Sequence, residues 1–180
     1  LNKTIMNFSE KEFFDYEMSH GVHMDNPDFV ALCNATAKLI KDKCDRLKIS
    51  IKSVLDYGAG MGVYSKAFKE VGYDVKIFEI FEPHRNYISN RLPQIEIVNE
   101  PITTDLMLFI EVSEHMTDEQ LNDLFTKIKP RYILHSSTPH ENPGFDEDWG
   151  HINIKKDWDP FFNSFGYEKA FDVNLPTEWT

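Results

Sequence analysis

The chain has 180 residues, 41% of them hydrophobic, and a formal net charge of −11 at neutral pH. A chain of this length can bury one sizeable core, so we expect a single domain, with N-terminal helices over residues 1–48 and an α/β core over residues 49–180. The acidic balance disfavours broad nucleic-acid binding, which relies on clustered lysine and arginine, and the sequence has no apolar run of the length that spans a membrane.

Two helices are the first predicted elements. Aromatic residues at roughly helical spacing predict a short helix within the first 20 residues. Asn26 and Pro27 provide a cap and a first-turn proline for a second helix over residues 28–47, which is expected to cover a sheet. The loop between the helices carries His20 and His23, which either line a substrate cavity or are exposed loop histidines.

Both cysteines, Cys33 and Cys44, fall on the second predicted helix. A rise of ~1.5 Å per residue separates them too far along the helix axis for a disulfide bond. We therefore expect two reduced core thiols. No charged segment followed by an apolar one opens the chain. Together these features predict a soluble, cytoplasmic protein with no membrane association.

A strand, a glycine-rich turn and a helix follow. The strand is predicted over residues 51–57, and the next helix begins at Val63. Between them, glycines occupy alternate positions at Gly58, Gly60 and Gly62. Glycine permits positive φ and close approach of a ligand to the backbone, and the first N–H groups of the helix face the same space. The stretch therefore predicts a nucleotide-type pocket.

Two acidic residues narrow the choice of ligand. Asp56 directly precedes the turn, where a carboxylate repels a pyrophosphate but suits an ammonium group. Glu79 is expected near the end of the second strand, residues 74–80, where it can accept hydrogen bonds from both hydroxyls of a ribose. Position 63 is Val instead of the third glycine of a dinucleotide fingerprint. The pattern indicates a cationic, ribose-bearing ligand, and the structural alternative is an ordinary strand-turn-helix with loop glycines.

This combination resembles the class I S-adenosylmethionine-dependent methyltransferases, whose motif is an acid followed by alternating glycines, with a ribose-binding acid after the second strand. The resemblance implies S-adenosyl-L-methionine as cofactor, bound by the three glycines, Asp56 and Glu79. Many relatives also carry an acid after strand three that holds the adenine amino group. The candidates here are Asn99, Glu100 or a backbone group near Ile102.

The rest of the chain alternates predicted strands and helices. Strand four is nearly all apolar, as expected for a central parallel strand next to strand one, and Thr117 to Gln120 forms a capping box that begins a helix. The predicted elements are a helix over 83–92, strands over 95–99 and 105–110, a helix from Thr117 to Pro130, a strand over 131–136, a helix over 157–165 and a sixth strand over 167–175. The alternation predicts a Rossmann-like, doubly wound, mostly parallel α/β sheet with helices on both faces. The seventh strand of the methyltransferase fold would be absent, short or lost with a trimmed tail.

A second set of candidate site residues follows strand four. If the backbone turns helically there, Glu111, Glu114 and His115 lie on one face. The long loop after strand five adds His140 and His151. Two carboxylates with one or two imidazoles suit Mg²⁺ or Mn²⁺ better than a structural zinc ion. Alternatively, the carboxylates only charge a helix N-terminus and His115 is a core imidazole.

This region resembles the O-methyltransferases of ubiquinone biosynthesis and the methyltransferases that modify the 3′-terminal 2′-hydroxyl of small RNAs. The resemblance rests on the acid-x-x-Glu-His pattern, on Ser137-Thr138-Pro139 and on a later histidine. It implies a divalent metal ion bound by Glu111, Glu114, His115 and His151. We also regard Glu111 and Asn99 as candidate cofactor-binding residues.

Two catalytic routes stay open at this point. Coordination to a divalent ion lowers the pKa of an acceptor hydroxyl, whereas without metal His115, His140 or His151 would act as a general base. We predict O-methylation of a small-molecule acceptor, because the acidic charge favours a small acceptor over RNA. The alternatives are terminal 2′-O-methylation of RNA, and a cofactor-binding but inactive partner subunit.

Overall fold

The computed structural model describes residues 8–138 and 150–173. Its strands form a five-stranded sheet in the order β3-β2-β1-β4-β5, and every pairing is parallel. The strands are β1 Ser53–Tyr57, β2 Asp74–Phe78, β3 Glu96–Ile97, β4 Leu106–Ile110 and β5 Tyr132–Ser136. The predicted parallel sheet, with strand four next to strand one, is confirmed.

Helices connect the strands and precede them. They are α1 Glu10–Ser19, α2 Pro27–Leu47, α3 Val63–Glu70, α4 Glu82–Arg91, α5 Asp118–Lys127 and α6 Asp159–Ser164, with a short 3-10 helix at Ser113–His115. Within the described residues, no helix combines the length and the apolar composition required to span a membrane.

The predicted caps form. The Asn26 side chain accepts a hydrogen bond from the Asp28 N–H at 3.1 Å, directly before Pro27 at the start of α2. Thr117 and Gln120 form the reciprocal capping box that begins α5. Local sequence therefore places the starts of both helices.

Two apolar cores lie on the two faces of the sheet. One joins α2, α3 and α4 to strand residues such as Val54 and Ile77. The other joins α5 and α6 to strand residues such as Leu55 and Met107. Neighbouring residues of β1 thus face opposite cores, as expected for strands covered on both sides. The prediction of helices on both faces is confirmed, and Cys33 and Cys44 are buried, unbridged thiols.

The predicted sixth strand is wrong for its described part, residues 167–173, which join no sheet. This segment packs on α2 instead. Phe171 and Val173 contact the first core, and Lys43 Nζ donates to the Asp172 carbonyl at 2.9 Å while lying 4.4 Å from the Phe171 ring centre. These side-chain and backbone contacts replace the ladder that an edge strand would form.

Candidate functional site

The glycine turn, residues 58–62, lies at the carboxyl end of β1. Gly58 and Gly60 have φ of +71° and +53°, a region that other residues rarely adopt. A Cβ on Gly58 would approach a Val112 methyl group to 2.8 Å, and one on Gly60 would approach the Glu17 carboxylate to 3.2 Å. The backbone favours glycine at both positions, and the contact with Val112 also disfavours a side chain at Gly58. The predicted positive φ is confirmed.

Glu79 joins this turn to the start of α4. Its Oε2 accepts a hydrogen bond from the Gly60 N–H at 2.9 Å, and its Oε1 accepts one from the Phe81 N–H at 2.8 Å. Burial raises the pKa of Glu79, and the two N–H groups partly oppose that shift. Each carboxylate oxygen has a second lone pair. Contact of Glu79 with a ribose stays a prediction.

Asp56 lies beneath the turn instead of facing the space above it. The residue is 4% exposed, and its Oδ2 accepts a hydrogen bond from Ser65 Oγ of α3 at 2.5 Å. Burial raises the pKa of this carboxyl to about 7. Side chains alternate along β1, and this alternation puts Asp56 on the same face as Val54, toward α3. Contact of Asp56 with an ammonium group stays a prediction, and the observed partner of its carboxylate is Ser65.

The candidates for an adenine contact lie beyond β3. Asn99 and Glu100 are exposed, and Ile102 is half-buried against the second core. Their position at the carboxyl edge of the sheet agrees with the prediction. The hydrogen bonds of the described residues do not distinguish among the three.

Glu111 directly follows β4 and has φ of +52°, which is unusual for a residue with a side chain. Its N–H donates to the Ser136 carbonyl at 3.0 Å, and Ser136 Oγ donates to its Oε1 at 2.7 Å. The chain changes direction here, and the helical turn begins only at Ser113. The expectation that Glu111 shares a helical face with Glu114 and His115 is therefore wrong.

Three of the predicted metal-binding residues come together. Glu114, His115 and His151 each offer one potential ligand atom, and these atoms lie within 4.8 Å of one another. Among the described residues, Glu111 is not part of this group, although its proximity to Glu114, after burial of its carboxyl, raises the pKa of Glu111. His140 lies outside the described residues.

Backbone hydrogen bonds bring the distant histidine into place. The N–H groups of Ile152 and Asn153 donate to the Glu114 carbonyl at 2.8 and 3.0 Å. The Gly150 carbonyl lies 3.2 Å from His115 Nδ1. The segment that follows the long loop is therefore bound to the short helix after β4, and the rings of His115 and His151 lie with their centres 4.5 Å apart.

The carboxyl group of Glu114 is fully buried and accepts several hydrogen bonds. Thr138 N–H donates to Oε1 at 3.1 Å, and Ser113 Oγ lies 3.4 Å from Oε2. Ser113 Oγ also lies 2.9 Å from His135 Nε2. Burial lowers the pKa of His135 to about 4, so this imidazole is neutral at pH 7. Sequence reasoning missed Ser113 and His135, although pairing of β5 with β4 aligns His135 with Phe109.

α1 lies across the same edge of the sheet. Glu17, in its last turn, is the residue beside Gly60, and the ring of Phe13, in its first half, lies 6.4 Å from that of His115. The two histidines of the following loop make local contacts instead. His20 Nδ1 lies 2.9 Å from the Tyr16 carbonyl, and His23 Nδ1 accepts from the Asp25 N–H at 3.2 Å. The loop-histidine interpretation fits these contacts.

An open groove of about 840 Å³ lies between α1 and α4. Its walls include Lys11, Phe14, Asn86 and Tyr87. None of the predicted site residues lines it. The glycine turn lies beside Glu17 of α1, and the Glu114 group lies beside Phe13 of the same helix.

No family model matches the sequence, and a search among curated proteins gives no match. Solved structures do match. A SAM-dependent methyltransferase from Archaeoglobus fulgidus is 18% identical, with a TM-score of 0.54 over 73% of this chain and 69% of that chain. A protein from Pyrococcus horikoshii OT3 is 21% identical, with a TM-score of 0.54 over 74% of this chain and 67% of that one.

DesVI from Streptomyces venezuelae is 18% identical, with a TM-score of 0.52 over 76% of this chain and 61% of that chain. The chain spans about half the length of some other matches, such as the glycopeptide N-methyltransferase MtfA, of which 48% is covered. At these identities the matches show the fold. The chain has a Rossmann-like α/β fold, like that of the SAM-dependent methyltransferase from Archaeoglobus fulgidus.

Proposed function

We propose that the protein is an S-adenosylmethionine-dependent methyltransferase that acts on an oxygen atom of a small molecule, with a divalent metal ion bound by Glu114, His115 and His151. One observation carries the proposal. The glycine turn with Glu79, and the group around Glu114, lie at the same carboxyl edge of the sheet. They flank β1 and β4, where the strand order reverses and where ligands bind in such sheets.

The residues around the glycine turn fit the methyl donor. Gly58 and Gly60 have no side chains, so a ligand can approach their backbone atoms closely. Glu79 has lone pairs that can accept hydrogen bonds from ribose hydroxyls. When bound, the donor supplies a methyl group on a positively charged sulfonium. The chain holds the donor close to the acceptor, and such positioning contributes strongly to rate.

The residues around Glu114 fit a divalent ion. A fully buried carboxylate is costly unless a cation or hydrogen bonds balance it. The observed group has one carboxylate and two imidazoles, and imidazole ligands suit transition metals better than Mg²⁺. We therefore favour Mn²⁺ or a similar transition ion over Mg²⁺. Such an ion lowers the pKa of a coordinated hydroxyl, and without it His115 and His151 are the candidate general bases.

The surroundings support a small acceptor. Phe13 of α1 lies against His115 and provides an apolar wall close to the Glu114 group. The net charge of −11 opposes the approach of a phosphate backbone. A molecule with adjacent hydroxyls, such as a catechol or a sugar, offers two oxygen ligands to one ion.

Isothermal titration calorimetry with S-adenosylhomocysteine tests the donor assignment. Glu79→Gln should weaken binding at least about tenfold, because it removes a charged hydrogen-bond acceptor. Glu96→Gln is the matched control, since Glu96 is an exposed acid on neighbouring β3, paired with Lys76 at 2.7 Å. Absence of binding to the native protein, or equal affinity in both variants, would remove the donor assignment.

Transfer of a labelled methyl group to catechols, sugars and short RNAs tests the acceptor and the metal. We expect transfer to a diol that EDTA abolishes and Mn²⁺ restores. Transfer that survives EDTA, or survives Glu114→Ala combined with His115→Ala, contradicts the metal role. Transfer to RNA alone supports the RNA alternative, and no transfer despite donor binding supports the inactive-partner alternative.

A further inference from the structure

Two carboxylates approach Gly60 from different sides. Glu79 Oε2 accepts the Gly60 N–H at 2.9 Å. Glu17 Oε1, from α1, lies 3.2 Å from the point where a Cβ on Gly60 would stand. The Glu17 side chain is only 14% exposed. α1 therefore contributes an acidic group to the space that the bare glycine opens to a ligand.

His84 fixes the position of Glu17. The imidazole is fully buried, and its Nε2 lies 2.5 Å from Glu17 Oε2. Its buried Nδ1 has no hydrogen-bond partner within residues 8–138 and 150–173. The rings of Phe13 and Phe14 lie 5.7 and 5.3 Å from that of His84. In this apolar setting Glu17 is the polar partner of His84, and this contact fixes the position of the Glu17 carboxylate.

The arrangement has an electrostatic consequence. Burial, and to a smaller extent the charge of Glu17, raises the pKa of Glu79. Like charges in a poorly solvated region are unfavourable unless a cation or a hydrogen-bond donor lies between or beside them. His84 is the partner of Glu17, and two backbone N–H groups are the partners of Glu79. Both carboxylates keep lone pairs for a further positive or hydroxyl-bearing group.

We propose that Glu17 is a further residue that binds the methyl donor, with His84 as its positioning residue, so that α1 completes the donor site. The inference rests on the proposed function. S-adenosylmethionine carries two cationic groups and two ribose hydroxyls, and both kinds of group are partners for a fixed carboxylate. The charge of Glu17 also repels phosphate-bearing nucleotides, and this repulsion adds to the selectivity that the glycine spacing provides.

Calorimetry with S-adenosylmethionine and S-adenosylhomocysteine tests the role of Glu17. Glu17→Gln should weaken binding roughly ten- to hundredfold, the effect of losing a charge-assisted hydrogen bond. A larger loss for S-adenosylmethionine assigns Glu17 to the sulfonium charge, and an equal loss assigns it to a group that both compounds carry, the ammonium or the ribose hydroxyls; both results support the proposal. Asp15→Asn is the control. This substitution removes the same charge from the same helix, but Asp15 is 57% exposed and paired with Lys11.

A double-mutant cycle tests the positioning role of His84. If His84 acts through Glu17, His84→Asn should weaken binding in the native background but add nothing in the Glu17→Gln background. Unchanged or tighter binding in Glu17→Gln overturns the inference, since Glu17 would then be a bystander or would obstruct the site. Those results leave the proposed function intact, whereas native protein that binds neither compound contradicts the proposed function itself.

Discussion

The donor half of the site lies mostly in one continuous stretch of chain, residues 56–79, to which the proposed Glu17 of α1 is added, whereas the acceptor half is assembled from three segments, 111–115, 135–138 and 150–153. Within the donor half, the bonds of Asp56 with Ser65 and of Glu79 with Gly60 join residues 9 and 19 positions apart. Glu114 and Thr138 in the acceptor half are 24 positions apart. The donor half thus lies close in sequence to the central strand β1, whereas the acceptor half depends on segments that return to it from further along the chain.

Val112 and Gly58 form one contact between the two halves. Val112 follows β4 and lies against Gly58. A Cβ on Gly58 would lie 2.8 Å from a methyl group of Val112. A change at this point affects both halves at once. Changes within either half should affect that half first.

Gly58→Ala should produce the largest loss of stability. Alanine at φ of +71° costs about 1 kcal/mol, and the clash with Val112 costs about 1–3 kcal/mol more. Gly166→Ala is the control for strain alone, since Gly166 has φ of +85° and a Cβ there would meet no described atom within 4 Å. Urea denaturation gives both free energies of unfolding.

The double variant Gly58→Ala with Val112→Ala separates the two contributions. Compared with Gly58→Ala, the double variant should regain the stability lost to the clash with Val112. The stability lost to backbone strain at position 58 should remain lost. Equal destabilisation by Gly58→Ala and Gly166→Ala would show that the close contact between the halves has no energetic weight.

Asp56→Asn should change how stability depends on pH. Burial raises the pKa of Asp56 in the folded protein to about 7, above its value of about 4 in an unfolded chain. The folded state therefore holds the proton of Asp56 more tightly than the unfolded chain does. The contribution of this proton to the free energy of unfolding is full below about pH 4 and is lost as the pH rises to about 7. One pKa unit corresponds to about 1.4 kcal/mol, so the effect is on the order of a few kcal/mol.

Denaturation at a series of pH values measures this effect. Between pH 5 and 7.5 the native protein should lose more stability than Asp56→Asn, in which the amide still accepts from Ser65. Asp74→Asn, at the exposed start of β2, should follow the native curve. Parallel curves for the native protein and Asp56→Asn would mean that Asp56 is ionised in the fold at no cost.

Much of the fold follows from the sequence, because its signals are local. The caps at Asn26 and Thr117 involve residues two or three positions apart, and the apolar run of β4 requires burial on both faces. The sixth strand was predicted wrongly because the apolar residues of that segment, such as Phe171, pack on α2 instead of extending the sheet.

The candidate site divides in the same way. The spacing of the glycines and Glu79 indicates their common location, and the structure confirms the positive φ. The bond from Gly60 N–H to Glu79 was not predicted. Spacing does not show that Glu17 meets His84, because 67 positions separate them. Likewise, Glu111 has φ of +52° and precedes the short helix instead of joining it, and no sequence pattern specifies that dihedral angle.

Asn153→Ala should produce the smallest effect, confined to the acceptor half. Asn153 Nδ2 donates to the Met116 carbonyl and to Asp118 Oδ1, both at 2.9 Å, and so holds the segment that carries His151. Loss of these bonds should lower the free energy of unfolding by roughly 1–2 kcal/mol and weaken Mn²⁺ binding roughly tenfold by loosening a ligand. Affinity for S-adenosylhomocysteine should stay the same.

Calorimetric titrations with Mn²⁺ and with S-adenosylhomocysteine separate the two halves in this variant. Lys155→Ala is the control, because it removes a neighbouring ion pair with Asp118 at 2.7 Å and leaves Asn153 in place; a half-exposed pair of this kind contributes little. If Asn153→Ala weakened the binding of Mn²⁺ and of S-adenosylhomocysteine equally, the segment 150–153 would support the whole carboxyl edge of the sheet. The halves would then be one cooperative unit, despite the difference in how the chain builds them.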